Sequence, residues 1–270
     1  MKRLGYLLLA VVALVVCGAY FLAERVTATV PVAAAAPKSA APQASDNDID
    51  PDSMAALNKM GTYLRSLKAF QVVSAITRDD VLDDGQTVQF DSRVDLLARV
   101  PDRLRAEVNS SERHRFYFYD GKTFTIFAAR VNYYATMPAP PTLGKLAKEL
   151  DDKYDLELPL QDLFYWGTAD SKIDEIKRAT DVGPSEVGGI TCEHYAFHQD
   201  GLDWQVWIQQ GDYPLPLKLV LTTLTDEARP QYSSVLTWNL APSFNEAAFD
   251  FDPPKDAQKI IIAEQNPTAN

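Results

Sequence analysis

From Phe70 onward the chain alternates apolar and polar residues in twos, and short turn signals punctuate the alternation. A period of two sends successive side chains to opposite faces of a strand. Asp84-Gly85 and Asp120-Gly121 each interrupt such a run as a tight hairpin turn does. Turns this short join antiparallel neighbours. Val88, Phe90, Val94 and Leu96 share one face, and Gln89, Asp91, Arg93 and Asp95 share the other. After a turn at Pro101-Asp102, Leu104, Ala106 and Val108 alternate with Arg103, Arg105 and Glu107. The pair 115–119 and 123–127 follows, then a strand near 131–136. Further strands are expected at 190–198, 203–209, 217–223 and 231–240, with a last short one near Phe249 and Phe251. The pattern predicts nine to eleven strands.

Helical spacing interrupts the strands twice. Met54, Leu57, Met60, Leu64 and Leu67 make one apolar helix face, entered through Asp50 as N-cap and Pro51 at the first position. In the middle, Leu143, Leu146, Ala147, Leu150 and Tyr154 space as an amphipathic helix. A short helix over 160–166 and a third over 170–179 are expected after it. This segment must lie against the sheet or over its mouth.

Two strands break the one-sided pattern. Arg115–Tyr119 reads Arg-Phe-Tyr-Phe-Tyr, and Trp204–Ile208 is apolar on both faces. An antiparallel strand with one wet face alternates cleanly. These two therefore need a cover on each side, or one side faces a ligand cavity.

The first residues read as export machinery. Lys2 and Arg3 precede an apolar run from Leu4 to Ala23, and small residues follow, with alanines at 33–36. Residues 1–25 are a signal peptide or, at a length that spans a bilayer, an N-terminal membrane anchor. Lipidation at Cys17 is a third option, weakened by Val16 before it. Residues 26–49 are an Ala/Pro-rich linker that cannot bury a core. The folded domain is expected over 50–255, followed by a tail over 256–270. All options send the domain across a membrane, with the membrane touched only through the N-terminal segment and the destination periplasmic, soluble or tethered.

Charge then narrows the partners. The whole chain carries −11, from 26 basic and 37 acidic residues. Residues 1–45 hold four basic residues and one acidic, so the remainder, with 22 basic and 36 acidic residues, carries −14. A body this acidic lacks the basic footprint that nucleic acid requires. The body keeps one cysteine, Cys192, so it has no internal disulfide.

Several runs resemble, in one order, a bacterial family of predicted periplasmic proteins of unknown function. They include Met60-Gly-Thr-Tyr-Leu-Arg-Ser-Leu67, Pro101-Asp-Arg-Leu-Arg105, Tyr119-Asp-Gly-Lys122 and Leu158-Pro-Leu-Gln-Asp-Leu163. Cys192-Glu-His-Tyr-Ala-Phe197, Asp203-Trp-Gln-Val-Trp-Ile208 and Pro214-Leu-Pro-Leu-Lys-Leu-Val220 complete the set. The resemblance spans roughly residues 50–255. That family is similar in turn to the LolA/LolB lipoprotein-carrier superfamily. The resemblance implies an α+β fold: a strongly curved antiparallel sheet, an unclosed half-barrel, with helices covering the concave side. It also implies a cavity that holds acyl chains. No carrier binding residue maps onto this chain, and Arg103 and Arg105 read as polar-face strand residues.

With that fold, a hydrophobic small molecule or lipid is the expected ligand, and an envelope protein is the alternative partner. Candidate ligand-binding residues are Phe90, Phe116, Phe118, Leu146, Leu150, Phe164, Trp204 and Trp207, with 143–166 as a lid. The alternatives are a non-catalytic interaction or sensing module with a packed core, and an enzyme. Cys192, His194 and His198 share one strand face, so Cys192 and His194 are weak metal candidates. Three polar-capable residues on one strand face are more simply structural. The sequence has no Gly-x-Ser-x-Gly elbow and no phosphate loop. Asp151-Asp152 and the acidic residues at 79–84 read as solvated charges, although a carboxylate pair is defined by spatial separation. No cofactor is expected and no catalytic residue is assigned.

Overall fold

The computed structural model describes residues 49–264. The export segment, Cys17, most of the linker and residues 265–270 lie outside the described residues. Among the described residues no helix is long and apolar enough to cross a membrane.

Helix α1 (Pro51–Ser66) begins as the sequence predicts. Asp50 caps it, its Oδ2 accepting from the Ser53 amide at 2.7 Å, and Pro51 stands at the first position. Leu57, Met60 and Leu64 on its apolar face are buried. Eleven strands then build the body: β1 (Ala69–Val81), β2 (Thr87–Arg99), β3 (Arg103–Ser110), β4 (His114–Tyr119), β5 (Thr123–Ala128), β6 (Tyr133–Pro138), β7 (Arg178–Val187), β8 (Ile190–Gln199), β9 (Leu202–Gln209), β10 (Pro216–Thr223) and β11 (Gln231–Asn239). A two-residue β12 (Gln258–Lys259) pairs parallel to β6. The order is β12-β6-β5-β4-β3-β2-β1-β11-β10-β9-β8-β7 in one sheet, whose ends β12 and β7 do not meet. The sheet is curved and open, a half-barrel. The two meanders, β1–β6 and β7–β11, join where β1 pairs with β11.

Between them the chain leaves the sheet. Helix α2 (Leu143–Tyr154) buries Leu143, Leu146, Ala147 and Leu150, and it ends where Asp155 takes φ 52°. Helix α3 is a single turn, Asp162–Tyr165, shorter than the expected 160–166 because Leu160 stands at φ 54°. The helix expected over 170–179 does not form. Lys172 takes φ 52° between two 3-10 turns, Ala169–Ser171 and Ile173–Glu175. Residues 178–187 are instead the edge strand β7, which Gly183 and Pro184 conceal in the sequence. An edge tolerates a proline because one row of its backbone groups is unpaired. The short strand expected near Phe249 and Phe251 is also corrected. Glu246–Phe249 is a 3-10 turn with extended chain after it, and the last strand comes at Gln258–Lys259, inside the expected tail.

The register assigns the two faces. Ile76, Ser92, Ser110 and Ser234 lie across from one another on the face that meets the helices, here the inner face. Leu104 pairs with Tyr119 and Ala106 with Tyr117, so Tyr117 and Tyr119 also face inward. Phe116 and Phe118 face outward. There Phe116 stacks on Phe127 at 6.1 Å, and Phe251 covers the stripe, its ring centroid 5.3 Å from Phe118, 5.8 Å from Phe127 and 5.2 Å from Tyr134. The doubly aromatic strand thus has helices on one side and the C-terminal segment on the other. The second two-faced strand is solved differently. Trp204 faces inward, stacked on Phe197 at 4.2 Å, while outward Trp207 lies between His194 at 3.9 Å and Lys218 Nζ at 4.7 Å.

Candidate functional site

The helices fill the inner face unevenly. Under α1 and α3 the packing is dense: Phe70 stacks on Phe164, their centroids 6.3 Å apart, and lies 5.4 Å from Trp238. Toward the other end a cavity of about 490 Å³ remains between β1–β5 and the segment Leu150–Leu160. Small-molecule sites are commonly clefts of about 300–1,000 Å³. The floor combines apolar side chains, Ile76, Val94, Val108, Tyr117, Phe124 and Ile126, with the hydroxyls of Ser92 and Ser110. Leu150, Leu156, Leu158 and Pro159 form the roof, and Tyr232 closes one side. Burial pushes the Tyr232 hydroxyl up to about 12.

Charged groups line the mouth. Arg78 Nε lies 2.8 Å from Asp80 and its Nη2 3.4 Å from Glu112. The same guanidinium sits 5.9 Å from the centroid of Phe90. Arg113 Nη2 lies 3.8 Å from Glu112. Arg115, Asp155 and Glu157 also border the opening.

The stretch that follows the roof, α3 and its exit turn, is held by α1. Arg65 Nη1 donates to the Phe164 carbonyl at 2.9 Å and Nη2 donates to the Leu163 carbonyl, so one guanidinium caps the end of α3. One turn earlier, Gly61 lies against Gly167 with no room for a Cβ on either. The αL residues Asp155 and Leu160 turn the chain between α2 and α3.

Of the candidate binding residues, Phe90 and Leu150 line the cavity. Leu146, Phe164 and Trp204 are buried in the packed core. Phe116, Phe118 and Trp207 stand on the outer face, away from it. Tyr117 takes the place given to Phe116 and Phe118, and Phe124 and Ile126 on β5, not among the candidates, join it. A signal for Tyr117 was present: β3 has a clear apolar face, and pairing it across the short turn to β4 assigns the odd-numbered aromatics to the same side.

The Cys192, His194 and His198 face does not assemble. Cys192 is buried, with its Sγ 3.3 Å from the Ile190 carbonyl oxygen. Burial pushes its thiol pKa up, opposite to the shift a nucleophilic thiolate needs. His194 lies flat on Trp207 with Nε2 3.0 Å from Gln205 Oε1, and burial lowers its pKa. His198 Nδ1 lies 2.7 Å from Asp203 Oδ1. Among the described residues no group of three or more His, Cys, Asp or Glu side chains is placed to hold a metal ion. The acidic residues of the first hairpin are tied locally, Asp79 accepting from Gln89 and from the Gln231 amide and Asp80 pairing with Arg78. Asp152 pairs with Lys148 on the surface of α2.

Residues 53–263 match the family of predicted periplasmic proteins DUF2092. The chain belongs to this family. DUF2092 membership places it in the periplasm and covers nearly all the described residues. No curated protein matches the chain. Solved structures similar to this DUF2092 chain include an uncharacterized conserved protein from Thermus thermophilus, at 13% identity and a TM-score of 0.45, covering 78% of this chain and 99% of that one. LprF from Mycobacterium bovis is 11% identical, with a TM-score of 0.43 and the same two coverages. A LolA superfamily protein from Nitrosomonas europaea is 11% identical, with a TM-score of 0.35, covering 74% and 97%.

Proposed function

We propose that this DUF2092 chain is a non-catalytic periplasmic binding protein that holds an apolar chain, such as the acyl chain of a lipid or lipoprotein, in the cavity beneath Leu150–Leu160. One observation carries the reading: about 490 Å³ of space between the sheet and the segment Leu150–Leu160, with apolar side chains on both its floor and its roof. An apolar lining gains nothing from water, so exchanging water there for a hydrocarbon is favourable in proportion to the area covered. The charged mouth suits an amphiphile whose polar end stays in solvent. The roof segment is the moving part, because it turns at the αL residues Asp155 and Leu160 and belongs to no strand of the sheet.

The test has two arms. Native mass spectrometry of full-length protein purified from its own envelope is expected to find a bound lipid. An uncharged fluorescent naphthylamine probe is expected to bind, and Ile126→Trp, which fills the cavity from its floor, to abolish that binding with the circular dichroism spectrum kept. Absence of lipid together with absence of probe binding would overturn the reading.

A further inference from the structure

The mouth of the cavity carries unpaired charge of both signs, on opposite walls. On the sheet side three guanidiniums border the opening, and two are engaged: Arg78 with Asp80 and Glu112, and Arg113 with Glu112. Arg115 has no ion pair or hydrogen bond from its side chain among the described residues. It sits on the inner face, between Val108 and Ala128 in the register, and is half-buried. On the roof side Asp155 and Glu157 also hold no side-chain partner among the described residues, and both border the same opening.

A half-buried cation without a partner loses hydration that nothing repays. A ligand with an anionic group placed at Arg115 restores that interaction. A purely anionic head, however, must also enter beside two carboxylates, on a domain already at −14. A purely cationic head suits the roof and is repelled by Arg115. A neutral head leaves both walls unpaired. A head with both charges offers a partner to each wall at once.

Building on the acyl-chain reading above, we propose that the cavity mouth selects a zwitterionic amphiphile, its anionic group against Arg115 and its ammonium group against Asp155 and Glu157. Phosphocholine and phosphoethanolamine heads are of this class.

Four dodecyl amphiphiles of equal chain length separate the alternatives: the maltoside, the phosphate, the phosphocholine and the trimethylammonium. Each is titrated below its micelle concentration against full-length protein carrying the uncharged naphthylamine probe. The phosphocholine is expected to displace the probe at a concentration roughly fivefold lower than any of the other three, the scale of partly exposed ion pairs. Arg115→Gln is expected to bring it level with the trimethylammonium compound. The double substitution of Asp155→Asn and Glu157→Gln is expected to bring it level with the phosphate. Equal displacement by maltoside and phosphocholine would overturn the head-group selection and leave the apolar cavity standing. No displacement by any of the four would overturn the apolar cavity as well.

Discussion

Gly61→Ala puts a Cβ 2.6 Å from the Gly167 nitrogen and 2.7 Å from its Cα, where ordinary contact begins at 3.4 Å. Backbone stands on both sides of that contact, so no side-chain rotation relieves it. Helix α1 and the turn after α3 must part by about 0.8 Å. Overpacking of this kind costs about 1–3 kcal/mol, and the rigid partners place the cost at the upper end. Alanine recovers about 1 kcal/mol of helix propensity over glycine. The net expectation is a loss of about 2 kcal/mol, or about 4–8 °C in Tm for a domain of this size. The same shift pulls the Leu163 and Phe164 carbonyls from Arg65, so the loss concentrates in α3 and its exit turn. Gly144→Ala is the internal control: it too lies in a helix, α2, but its Cβ would meet only the Phe164 carbonyl oxygen, at 4.0 Å. There the propensity gain stands alone, about 0.5–1 kcal/mol of added stability. Urea denaturation measures both variants, and hydrogen exchange over 156–176 reports whether that stretch is the part that loosens. Equal effects of the two substitutions, or a Gly61→Ala protein with unchanged protection there, would refute the assignment of Gly61 and Gly167 as the attachment of that stretch to α1.

Other expectations follow from individual contacts. Tyr119 is fully buried, its hydroxyl donating to the Pro140 carbonyl at 2.5 Å, and burial first, with Asp102 nearby, pushes its pKa up to about 12. The fold keeps a proton that the unfolded chain releases near pH 10, so the stability it contributes is complete below pH 10 and falls between 10 and about 12. The fall approaches 1.4 kcal/mol per pH unit, and Tyr119→Phe is expected to flatten that part of the urea-midpoint profile. Phe251→Ala uncovers the outer aromatic stripe and is expected to cost about 2 kcal/mol, less than a fully buried phenylalanine because Phe251 is half-buried. Differential scanning calorimetry reads that loss, and probe binding is expected to be unchanged because the cavity lies on the other face. Asp50→Ala removes the cap of α1 and is expected to cost about 1 kcal/mol by urea denaturation.

Local chemistry was enough to read α1, α2 and most of the hairpins. Asp50-Pro51 carries its cap and first position within two residues, and Asp-Gly turns place the flanking strands by themselves. The pieces that escaped are those whose local signal is contradictory. β7 reads as a loop because of Gly183 and Pro184, and it is a strand because nine residues of β8 pair with it. Phe249 and Phe251 read as strand because of their spacing, but Phe249 ends a 3-10 turn and Phe251 covers Phe118, Phe127 and Tyr134 instead. The site divided in the same way: Phe90 and Leu150 lie on elements with one apolar side, whereas Phe116 and Phe118 lie on a strand apolar on both.

By itself the sequence determined an acidic exported domain of antiparallel strands with a helical insertion, because periods of two and of 3.6, turn pairs and net charge are properties of neighbouring residues. Which face of an all-aromatic strand meets the helices is not such a property. Moving one residue along β4 exchanges Phe116 and Phe118 for Tyr117 and Tyr119 with no change in local preference, and only pairing with β3, whose other side is charged, decides between them. The cavity, the cation left unpaired at its mouth and the glycine contact that holds the stretch after its roof all depend on residues distant in sequence. They exist only once the sheet has curved around the helices.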